Sequence, residues 1–87
     1  MNKEAIFGAV DGFIEAVCNE QTACAESILD AVGELPDDKE RATQQVVWCI
    51  KQAGVDGNLK RCLGETAVEE LAREVVFQHR LATKAQA

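Results

Sequence analysis

Apolar residues in this chain fall on stripes that return every three or four positions. In the first segment Ile6, Val10, Phe13 and Val17 are spaced by four, three and four residues, which at 100° per residue sets them on one stripe of a helix. Similar spacings recur as far as Leu81, interrupted by glycine, proline and short polar runs. A sandwich or barrel needs alternation and draws on aromatic residues, yet there is no tyrosine, one tryptophan and three phenylalanines. The pattern predicts an all-α fold, a small bundle of four to five short helices, with dimerisation through the third and last helices left open. A chain of 87 residues has room for one core. A single helical domain is expected over residues 1–82. The last five residues, Thr83 to Ala87, have nothing to bury and are expected to fray.

Local chemistry sets the expected boundaries. Asn2 suits an N-cap and Glu4 suits the first turn of the first helix. The polar run Asn19-Glu20-Gln21-Thr22 predicts a break. The rival is one long helix to Val32, because Cys24, Ile28 and Val32 nearly continue the first stripe. Gly33 and Pro36 end the second helix. Asp37 to Glu40 has capping-box spacing and opens a third helix that should run to Ala53 and stop at Gly54. Val55-Asp56-Gly57-Asn58 reads as a turn, followed by a short helical piece holding Leu59, Cys62 and Leu63 and ending at Gly64. A second capping box, Thr66 to Glu69, opens a last helix to about Leu81.

The net charge of −6 is unevenly spread. Residues 1–38 carry nine acids and one base, whereas residues 39–87 carry six acids and eight bases. An acidic half repels phosphate and offers no basic stripe, so direct nucleic-acid binding and anionic membranes are not expected. Such a field accelerates the approach of a basic protein, or it serves only as a solvated face. Asp11 and Glu15 belong to the acidic stripe of the first helix, together with Glu4. Glu26, Asp30 and Glu34 recur every four residues on the second, where like charges repel unless solvated or matched by a partner. Gly8 and Gly12, four residues apart in the first helix, each cost about 1 kcal/mol relative to alanine there. Close approach of another helix, or a helix that firms up on binding, would explain them.

Two helical faces disagree with a simple bundle. On the third helix Ala42, Val46, Cys49, Ile50 and Ala53 form the core face, and Trp48 lies opposite among Arg41, Gln44, Gln45 and Gln52. On the last helix Val68, Leu71, Ala72, Val75 and His79 share a face, while Phe77 and Leu81 fall on the far side. Either the 55–64 connection folds over Trp48 and Phe77 fits against the first helix, or Trp48, Phe77 and Leu81 mark a dimer or partner surface.

Little else carries chemistry. The four cysteines form no CxxC pair. With no secretory or membrane segment expected, they read as reduced thiols of a cytoplasmic protein. A bundle could still gather Cys18, Cys24, Cys49 and His79 around a metal. His79, the only histidine, has no nucleophile or acid at a useful spacing, and no phosphate loop is present, so no enzyme, cofactor or resident metal is expected. Leu59 to Gly64 and the helix after Thr66 outline a helix-turn-helix, but Glu65, Glu69 and Glu70 would face the phosphates of DNA, which rejects a DNA reader. The expected function is a small acidic adaptor or inhibitor that binds a basic surface of another protein. A nucleic-acid-binding machine is one class of target, as for inhibitors carried by mobile elements. The expected contacts are Trp48, Phe77, Leu81, Asp11, Glu15, Glu26, Asp30 and Glu34. The alternatives are a metal- or redox-responsive bundle and a self-assembling structural protein.

Overall fold

A computed structural model of the chain describes residues 2–15 and 21–86, with side chains described through Lys84. The described residues form five helices: α1 (Lys3–Ile14), α2 (Gln21–Val32), α3 (Lys39–Gln52), α4 (Asp56–Leu63) and α5 (Ala67–Gln86). The small all-α bundle expected from apolar spacing is the fold.

The N-terminal pair shows how local and tertiary signals combine. Asn2 caps α1 from extended backbone, its side-chain oxygen accepting the Ala5 N–H at 3.1 Å. The Asn2 N–H itself donates to the Ala31 carbonyl at 2.9 Å. In one straight helix those residues would stand about 44 Å apart at 1.5 Å per residue, so the long-helix alternative fails and α1 and α2 form an antiparallel pair. α2 nonetheless begins within the polar run. Gln21 and Thr22 belong to the first turn of α2, where the Thr22 hydroxyl donates to the Glu74 carboxylate of α5 at 3.2 Å. A contact that remote in sequence leaves no local trace. Val17, Asn19 and Glu20 lie outside the described residues.

Gly33, at φ 87°, ends α2 as expected, and Gly54 (φ 78°) follows α3. The start of α3 differs by one residue. Asp38, not Asp37, is the N-cap and accepts the Glu40 N–H at 2.9 Å. In that register Arg41 occupies the third helical position, so Glu40 cannot close a capping box. Asp56, Gly57 and Asn58, read as a turn, instead form the first turn of α4. Val55 and Leu59 are both buried, and the Leu59 N–H donates to the Val55 carbonyl at 3.0 Å. Burying two apolar residues four apart winds the intervening chain into a helical turn.

At the start of α5 the Thr66 hydroxyl donates to the Glu70 carboxylate at 3.1 Å, while Glu69 faces Arg73 at 3.9 Å. The box anticipated between Thr66 and Glu69 is therefore replaced by a bond one residue further on. The helix then continues past Leu81 to Gln86, through residues expected to fray. Lys84, Ala85 and Gln86 are good helix formers, and extending an existing helix needs no buried face.

α5 is the central element: α2, α3 and α4 all pack on it, while α1 packs on α2 and reaches α3 and α4. The core joins Ile6 and Val10 of α1, Ile28 of α2, Val46 and Ile50 of α3, Leu59 of α4, and Leu71 and Val75 of α5. No polar or charged residue is buried among the described residues. Packing on several sides explains why α5 carries so broad an apolar face, with Val68, Leu71, Ala72, Val75 and Val76 all buried. His79, placed on that face by spacing, is only partly buried.

Candidate interaction surfaces

With α2 and α3 along its flanks, α5 keeps one face outward. That face carries Glu70, Arg73, Phe77, Arg80, Leu81 and Lys84. Lys39 and Ala42, early in α3, lie beside Val76, His79 and Thr83, so α3 runs antiparallel to α5. Between the two helices lies an open groove of about 1160 Å³. Glu40, Thr43 and Gln44 line it from α3, and Phe77 and Leu81 from α5.

Phe77 is 54% exposed, Leu81 46% and Trp48 55%. The 55–64 segment therefore leaves Trp48 open, and α1 does not cover Phe77. That alternative from the sequence is overturned, because the residues that would have covered them are engaged in the core: Val55 and Leu59 under α4, and Ile6 and Val10 under α1. Phe77 and Leu81 sit together in the groove. Trp48 lies four residues beyond Gln44 on α3 and is not part of the lining.

The acidic residues occupy other faces. Glu26, Asp30 and Glu34 are exposed, and none lines the groove. Thr22 contacts Glu74, and Pro36, beyond the far end of α2, lies near His79 and Thr83. α2 and α5 thus run in the same direction. On α1 Glu15 is exposed and Asp11 half-buried. Phe7, 47% exposed, falls between Glu4 and Asp11 on the same outward stripe, at spacings of three and four. Leu63 of α4 is exposed as well. Stepping from Ile6 to Phe7 by 100° carries the ring off the buried stripe. Gly8 does not serve helix packing: a methyl group there would meet no atom within 4 Å. The close-approach explanation fails at that position.

The thiols are placed as core and surface residues. Cys24 is buried, its thiol donating to the Ala9 carbonyl at 3.5 Å. Cys49 is buried in the core, and loss of solvent pushes its thiol above the ordinary value, which disfavours the reactive thiolate. Cys62 is exposed, and Cys18 lies outside the described residues. Among the described residues no three His, Cys, Asp or Glu side chains are grouped to hold a metal ion, and no helix is long and apolar enough to cross a membrane. No protein family, curated protein or solved structure matches the chain.

Proposed function

We propose that this chain is a non-enzymatic interaction module, an adaptor or inhibitor whose acidic α1–α2 side docks on a basic surface of another protein. The observation that carries the reading is the outward stripe of α1, where the exposed Phe7 ring stands between Glu4 and Asp11 with Glu15 one turn further on. Acidic groups supply long-range attraction and orientation, whereas an aromatic ring supplies contact area. Glu26, Asp30 and Glu34 on α2 extend the negative field. Phe77 and Leu81 form a second apolar surface on the α3–α5 side, and Trp48 stands exposed further along α3. A basic nucleic-acid-binding protein is one class of target, because its nucleic-acid site offers the matching charge.

The test uses immobilised, reduced full chain and lysate of its source cells. The expected result is capture of one identifiable basic protein, released by added salt. Capture should be lost in Phe7→Ala and in Asp11→Asn/Glu15→Gln, all of which alter exposed or half-exposed side chains. Equal capture by wild type and these variants, or none by either, would overturn the reading.

A further inference from the structure

We infer that the outward face of α5 pairs with the same face of a second copy of this chain, antiparallel and with Phe77 at the two-fold axis. The inference rests on the reading that the exposed apolar residues of α3 and α5 are protein contacts, and it identifies what covers Phe77 and Leu81.

Charge selects the occupant. Along the groove Glu69, Glu70 and Glu74 outnumber Arg73 before Phe77, whereas Arg80 and Lys84 follow it. Lys39 of α3 lies beside those two cations, with Asp37 and Glu40 at the same end, so this end stays net positive and draws on two helices in a protein of net charge −6. Among the described residues none of Lys39, Arg80 and Lys84 has a carboxylate within 4.0 Å, and the one cation of α5 with an ion pair is Arg73, beside Glu69. A face acidic at one end and basic at the other repels a parallel copy and attracts an antiparallel one.

Spacing sets the register. Glu70 lies seven residues before Phe77 and Lys84 seven after. Seven residues are close to two turns, so all three occupy one narrow stripe. Reversing a second helix about Phe77 sets Glu70 of each copy opposite Lys84 of the other. Leu81, one turn from Phe77, completes the apolar centre. A two-fold pairing uses each contact twice, so both ion pairs and both rings come from a single match. Phe7, Asp11 and Glu15 lie on α1, whose core residues Ile6 and Val10 separate them from this face. A dimer therefore displays two acidic faces to a basic partner.

Sedimentation velocity of the full, reduced chain at low salt, over a range of concentrations, tests the pairing, with circular dichroism as the control for folding. Wild type is expected to dimerise. Phe77→Ala/Leu81→Ala, Glu70→Lys and Lys84→Glu should each weaken the dimer about tenfold or more. The double swap Glu70→Lys/Lys84→Glu should restore it, because its two charges meet again across the axis. A monomer at every concentration, a dimer indifferent to these changes, or one that the double swap fails to restore overturns the inference. A dimer that captures no basic protein overturns the proposed function and leaves the pairing standing, while a monomer that captures one does the reverse.

Discussion

Ile28→Ala isolates the contribution of α2 to the core. Ile28 is fully buried in the cluster it shares with Leu71 and Val75 of α5. Truncation removes three carbons, worth about 0.8 kcal/mol each in transfer free energy. The resulting cavity adds to that, because neighbouring helices relax only partly, and comparable substitutions cost about 2–5 kcal/mol. We expect a loss of about 3 kcal/mol. A chain of 87 residues has about 4–13 kcal/mol to lose at the usual stability per residue, so the variant should remain folded but much weakened. Urea unfolding followed by circular dichroism reads the change. With slopes of about 1–3 kcal/mol per molar urea, the midpoint should fall by about 1–3 M at unchanged slope. A loss below about 1 kcal/mol would refute the packing of α2 on α5, since no buried isoleucine in a full core is so cheaply removed.

Further substitutions and a pH series probe the local structure. Gly8→Ala should stabilise the protein by about 1 kcal/mol in the same assay, because the position is helical and the added methyl meets nothing within 4 Å. Asp38→Ala should cost about 1 kcal/mol through loss of the α3 cap, and Asp37→Ala should cost much less, which separates the observed cap from the one suggested by spacing. Burial raises the Cys49 thiol above 9.0, so the folded state holds that proton more tightly than the unfolded state. Stability should therefore be level below about pH 9 and fall as pH rises through the raised value. Comparison with Cys49→Ala, in urea titrations at successive pH values, isolates that dependence.

The fold was readable in the sequence where one residue decides one event. Gly33, Gly54 and Gly64 mark helix ends because each takes positive φ, which side chains oppose. Asn2 caps α1 through its own oxygen. Trp48 and Phe77 stand off the buried stripes by arithmetic at 100° per residue, and both are exposed. Reading failed where the deciding partner is remote. Thr22 belongs to a helix that meets Glu74, and Asp56 to Asn58 wind up because Val55 and Leu59 find the core. Lys39 joins Arg80 and Lys84 only once α3 folds back along α5. The seven-residue spacing of Glu70, Phe77 and Lys84 was present in the sequence, but it gained meaning once the helix was seen to run through Lys84 with that stripe outward.

The half-exposed apolar side chains of α5 are proposed to be contact residues rather than fold residues. Thermal unfolding of wild type and Phe77→Ala/Leu81→Ala, each over a range of protein concentrations, tests this most directly. Association stabilises the folded state by mass action, so the wild-type midpoint should rise with concentration, while that of the variant should stay constant and meet the wild-type value at the dilute limit. A variant that melts well below wild type at every dilution, by the amount expected for losing buried side chains, would contradict the account. So would a wild-type midpoint that does not change with concentration.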